Sequence, residues 1–169
     1  MRTLVVHAHP RPDSFTAAMR DAVVRGLDAR GASTDVIDLW ADGFDPLDAS
    51  PMIASDGHLQ RLHEASALVL VYPTWWSGQP AILLGWLAAL PAGALGGIER
   101  ITAVTAHGSS RWINRLEGET GLTILRRTLR PRCAPGARAE WVALYSIDRA
   151  DERTRAQFLD RVERHFRTA

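Results

Sequence analysis

The chain has 169 residues, a formal net charge of +1, 46% hydrophobic and 23% charged residues. That suits one globular domain over 1–169 and leaves no electrostatic footprint for nucleic acid. All 20 basic residues are arginine, which excludes lysine Schiff-base and P-loop chemistry. The lone cysteine, Cys133, cannot close an intramolecular disulfide, and Leu4–Ala8 is too short for a signal peptide, so a cytoplasmic protein is expected.

In chain order, Thr3 to His7 is a β-branched apolar run without helical period, the pattern of a strand buried on both faces. Pro10 and Pro12 interrupt regular structure after it. From Asp13 or Ser14 the period becomes helical. Phe15, Met19, Val23 and Leu27 share one face, and Gly31 follows as a C-cap. Ala32 to Leu39 is a second strand, Trp40 to Pro51 a loop, and Ser55 to Glu64 a short helix. Ala67 to Tyr72 is the clearest strand, stopped at Pro73; a helix begins at Pro80. Arg100 to Ala106 is a fourth strand, and Leu122, Leu125 and Leu129 mark a helix ended by Pro131 and Pro135. Ala139 to Tyr145 is a fifth strand, and Asp151 to Arg167 a helix with Phe158, Val162 and Phe166 in register.

Strands and helices alternate five times, which predicts an α/β three-layer sandwich around a parallel sheet. Such sheets bind ligands beyond the carboxyl ends of their strands, where the strand order reverses. The unusual loops, His7–Thr16, Pro73–Gly78 and Thr105–Ser110, follow strands one, three and four. In the order 2-1-3-4-5 these strands are neighbours, so the loops converge on one crevice. The first is a candidate phosphate seat. It pairs a helix N-terminus with Ser14 and Thr16, and His7 or His9 lies just before it. Simple capping by Ser14 is the alternative. The second offers two indoles, Trp75 and Trp76. The third offers Thr105, His107 and Gly108. A phosphate seat beside a flat, hydrogen-bonding aromatic site outlines a flavin nucleotide.

From Ala81 to Ile98 no residue is charged, which reaches the length of a membrane span. Pro91, Gly93, Gly96 and Gly97 break it, so no integral membrane segment is expected. The helix up to Leu90 is nonetheless apolar on every face. The sheet covers one side, and the rest is predicted to lie in a homodimer interface. Cover by the Gly93–Glu99 loop is the alternative. No His, Cys or carboxylate pair has metal-ligand spacing on a helix, so no metal site is expected.

Val6-His7-Ala8-His9-Pro10 with Ser14-Phe15, the run Asp38 to Pro46, and Tyr72-Pro73-Thr74-Trp75-Trp76 with Pro80-Ala81 and Gly85-Trp86 together resemble the flavodoxin-like NAD(P)H:quinone oxidoreductase family in its short bacterial form. The resemblance covers about the first hundred residues. It implies a flavin (FMN, with FAD the alternative), hydride transfer from NAD(P)H to a quinone or similar acceptor, and a homodimer with the site at its interface. It further implies that His7, Ser14, Phe15 and Thr16 hold the phosphate end. Pro73, Thr74, Trp75 and Trp76 would flank the ring, and Thr105, His107 and Gly108 would bond its polar edge, with His107 as the catalytic candidate. After Gly108 the chain departs from the larger members: Ser109, Ser110, Arg111 and Trp112 stand where a tyrosine and histidine assist hydride transfer. A flavin carrier or regulatory subunit is the second reading. A serine hydrolase ranks last, for want of a Gly-x-Ser-x-Gly elbow.

Overall fold

The computed structural model describes residues 2–47 and 57–168. In chain order they form β1 (Arg2–His7), α1 (Phe15–Ala29), β2 (Ser33–Asp38), α2 (His58–His63), β3 (Ala67–Thr74) and α3 (Ala81–Ala89). β4 (Arg100–His107), α4 (Arg111–Leu116), α5 (Thr120–Ile124), β5 (Arg138–Leu144) and α6 (Glu152–Thr168) complete them. The five strands pair in parallel in the order β2-β1-β3-β4-β5, the fold class expected. The predicted start of α2 at Ser55 and the loop end at Pro51 lie outside the described residues.

Both sheet faces are buried. Val5, Val69, Val71 and Val104 meet Met19, Val23 and Leu27 of α1 and Phe158, Val162 and Phe166 of α6. The opposite face carries Leu4, Val6, Leu68, Leu70 and Tyr72 against Leu62, Ile82, Leu83, Trp86 and Leu125. The predicted stripes of α1 and α6 are therefore the core-facing ones.

β3 runs two residues past its predicted end, through Pro73. The Val71 carbonyl still accepts from Ala8 on the β1 side. Two residues on, Pro73 faces the same side after β1 has ended, so its missing N–H breaks no ladder. α5 does not continue as a regular α-helix. Leu125–Leu129 winds as a π-helix, with the Arg130 N–H donating back to Leu125 O. A 3-10 turn, Arg130–Arg132, follows. Pro131 has no N–H, and its ring would crowd the carbonyl four residues back in a regular helix; the wider winding avoids that clash.

α3 is covered on more than one side. Ile82, Leu83 and Trp86 are buried, and a Cβ on Gly85 would stand 2.7 Å from the Pro46 Cα, so the loop after β2 closes a second flank. Ala81, Leu84 and Ala88 remain exposed. Among the described residues no helix is long and apolar enough to cross a membrane.

Candidate functional site

A hollow of about 310 Å³ opens at the carboxyl end of the sheet. His9, Arg11, Ser14, Phe15 and Thr16 line it from the loop between β1 and α1. Pro73, Thr74 and Trp75 line it from β3, and Ala106 and Gly108 from β4. Ile147 and Asp148, after β5, close it.

The first wall is built by the cap of α1. Ser14 Oγ accepts from Ala17 N–H at 3.1 Å, and Ser14 O accepts from Ala18 N–H at 3.1 Å. The Phe15 and Thr16 amides come earlier in the helix and have no intrahelical acceptor. The Ser14 hydroxyl is thus both a cap and a remaining O–H donor. His9 Nδ1 lies 3.0 Å from Arg11 N and 3.2 Å from Arg11 O; in the tautomer that accepts from the Arg11 N–H, the ring proton is on Nε2. Burial pushes the His9 pKa down, so the neutral donor form dominates near pH 7. The His9 and Trp75 rings lie 5.8 Å apart, centroid to centroid.

The second wall ends in a tight turn. Trp75 and Gly78 exchange backbone hydrogen bonds of 3.0 and 2.9 Å. Trp76 and Ser77 between them have φ of 49° and 60°, the signature of a type I′ turn made without glycine. Ser77 Oγ donates to Glu117, which caps the end of α4, and anchors the turn.

The third wall depends on Gly108. A Cβ there would stand 2.5 Å from Asp148 Oδ2, so any side chain at this position would push aside the carboxylate that bounds the hollow.

Four predicted site residues sit off the hollow. His7 is fully buried; its Nδ1 lies 2.9 Å from Asp38 Oδ2, and its Nε2 has no partner. Asp38 also accepts from Arg20 and from the Trp40 and Ala41 amides, so His7 belongs to a knot that ties β1 to β2. Trp76 is thrown outward by the turn and is completely exposed. The Thr105 hydroxyl is buried 2.9 Å from Thr74 Oγ1 and supports Thr74 from behind. His107 stacks on Tyr145, centroids 4.8 Å apart, with the Asn114 side chain beside its ring. Burial lowers its pKa. It pairs in register with Thr74, but its ring lies on Tyr145 and is not part of the lining of the hollow. The other seven predicted residues line it. His9 was one of two alternatives in the sequence; Arg11, Ala106, Ile147 and Asp148 carried no distinguishing signal. Among the described residues no group of three or more His, Cys, Asp or Glu is placed to hold a metal ion.

Residues 1–90, more than half of the chain, match the family described as having a flavodoxin-like fold. The chain belongs to that family. It is 30% identical over 114 residues to NAD(P)H dehydrogenase [quinone] 1 of Cavia porcellus, covering 50% of this chain and 41% of that protein. The chain thus spans less than half the length of that relative. Among solved structures, Smu.1420 from Streptococcus mutans superposes with a TM-score of 0.88 at 23% identity, covering 100% of both chains. The NAD(P)H:quinone oxidoreductase from Methanothermobacter marburgensis superposes with a TM-score of 0.82 at 22% identity, covering 99% of this chain and 96% of that one. At these identities the two structures support the fold.

Proposed function

We propose that residues 1–169 form one flavin-binding unit that passes hydride from NAD(P)H to a quinone or similar small acceptor. The observation that carries this reading is the meeting of three loops in one hollow, with anion donors on one wall and an indole on the next. The names of the similar proteins point the same way. The donor set fits a flavin mononucleotide. The free amides of Phe15 and Thr16, the Ser14 hydroxyl and His9 Nε2 suit a phosphate. Trp75 suits a flat ring, and Gly108 keeps the third wall low. FMN is preferred to FAD because, among the described residues, no dedicated adenine site is evident beside a hollow of about 310 Å³.

The flavin, when bound, supplies the hydride chemistry. The protein's own share is to hold and orient it. The capped N-terminus of α1 fixes one end without a lysine. The Trp76–Ser77 turn and the Thr74–Thr105 bond make the wall beside the ring stiff. His107 is assigned no contact with the reacting atoms; it supports the wall from within the core.

The reading extends to a homodimer. Leu84 on α3, Trp76 on the adjoining turn, and Trp112, Ile113 and Leu116 on α4 are all exposed. The Ser77–Glu117 hydrogen bond joins the turn to the end of α4. Apolar side chains of this size on linked elements suit a second copy of the chain. The acceptor site is then completed at the interface rather than by one chain.

Absorption spectroscopy tests the function. The purified protein should be yellow, bleach with NADPH or NADH under anaerobic conditions, and recolour with a quinone. A protein that keeps its colour with both nicotinamides is a carrier. A protein that takes up no flavin has neither role.

A further inference from the structure

The opposite, amino-terminal end of the sheet carries a feature the proposed reaction does not use. Residues 125–138 hold five of the twenty arginines and none of the nineteen acidic residues. The remainder of the chain is therefore net negative. Arg126, Arg127, Arg130, Arg132 and Arg138 are all exposed. Arg130 Nε donates to Ala137 O. The other four side chains have no ion pair or hydrogen bond among the described residues. The π-helical winding of Leu125–Leu129 sets Arg126 with Arg130 and Arg138 around one cavity of about 420 Å³.

Beside this ridge lies the uncharged stretch from Ala81 to Ile98. Its second half forms an apolar groove of about 420 Å³, where Leu87, Leu90, Pro91, Ala92 and Leu95 meet Leu129, with Arg132 on the rim. The Ala134 N–H donates to Ile98 O and fastens the two segments together. An apolar groove with the unpaired Arg132 on its rim, continuous in sequence with the other four arginines, matches a bilayer surface: alkyl chains and glycerol on one side, phosphates on the other. Clusters of four to eight basic residues are the pattern that anionic lipid recognises.

We propose that this end of the molecule docks on an anionic bilayer surface through the 125–138 ridge and the 87–95 groove. The proposal does not rest on the flavin reading. A nucleic-acid duplex has no use for the groove, and a small phosphate ligand is usually held by buried arginines, whereas these five are exposed.

Co-sedimentation of the full chain with lipid vesicles tests it. Binding to vesicles containing phosphatidylglycerol is expected, with none to pure phosphatidylcholine, and it should fall steeply with salt. The triple variant Arg126→Ala/Arg127→Ala/Arg132→Ala spares Arg130, which has a structural bond. It should lower the partition coefficient about 100-fold, roughly fivefold per arginine. Ala92→Asp should weaken binding several-fold with all arginines in place. Both variants should keep the parent's thermal unfolding and flavin content. Equal binding to both vesicle types, retention by either variant, or tighter binding to duplex DNA at the same ionic strength overturns the proposal.

Discussion

The loop after β1 and the loop after β4 both leave the sheet at a histidine, yet they end differently. His7 and His107 are each the last residue of a strand, and each is buried. After His7 the chain brings His9, Ser14 and Thr16 back to the hollow, where they form the proposed anion seat from its own residues. After His107 it leaves only Gly108 at the hollow and turns Trp112, Ile113 and Leu116 out to solvent. The contrast has two lessons. In these two strands the last residue still belongs to the core, because its neighbours pair with it, whereas in β3 the last residue, Thr74, already lines the hollow. And in the proposed reading the phosphate side of the site is complete in one chain, whereas the ring side awaits a second copy.

The largest effect should come from breaking the unfinished side. Trp112→Asp places a charge in the proposed interface and should weaken the dimer by at least about 100-fold, since large buried aromatics dominate such contacts. Analytical ultracentrifugation reads the change, and far-ultraviolet circular dichroism should stay as in the parent. A parent protein that is already monomeric would remove the contrast between the two loops.

Next comes the one β4-loop residue that reaches the hollow. Gly108→Ala sets a methyl against the end of the Asp148 side chain, which must swing aside, and should cost at most about 1 kcal/mol, the low end for overpacking. Flavin affinity, measured by fluorescence quenching, should fall about 10- to 100-fold. Adding Asp148→Gly should recover most of that loss. No recovery would mean that the carboxylate is not what forbids a side chain there.

On the finished side, Ser14→Ala removes the acceptor for Ala17 N–H and should lower stability by about 1 kcal/mol in urea unfolding. Flavin affinity should fall several-fold as well, because the same oxygen carries a donor. A stability change without any affinity change would reduce Ser14 to a plain cap.

The smallest effect concerns the two buried histidines. Burial lowers both pKa values below the ordinary 6.5. As pH falls, the unfolded chain therefore takes up protons before the folded one does. Their contribution to stability is present above about pH 6.5 and is lost as pH drops toward the folded-state values. His107→Phe keeps an aromatic ring on Tyr145 and removes the ring nitrogens beside Asn114. It should be near neutral at pH 7, flatten the acid side of the stability curve and leave flavin affinity unchanged. A large loss of flavin affinity would return His107 to the site.

The sheet order and the three converging loops were legible in the sequence because strand periods, prolines and glycines mark them locally. The direction of individual side chains was less so. His7 and His9 look equivalent in Val6-His7-Ala8-His9; only the register of β1 against Asp38 and Val71 puts one inside and the other out. Trp75 and Trp76 are separated in the same way, by a turn whose positive φ values no glycine announces. Asp148 had no local signal at all, since its place over Gly108 depends on how the end of β5 packs. The π-helical turn was equally hidden, because the Leu122, Leu125 and Leu129 spacing suits a regular helix.

The central claim is that Ser14, Trp75 and Gly108 face one bound molecule. An amide NMR titration of the flavin-free protein with FMN tests it most directly. The backbone signals of Phe15, Thr16, Trp75 and Gly108 should move together along one saturation curve, with those of Arg126 to Arg138 unmoved. Signals from the three loops that stay still, or that saturate at different FMN concentrations, would contradict the account.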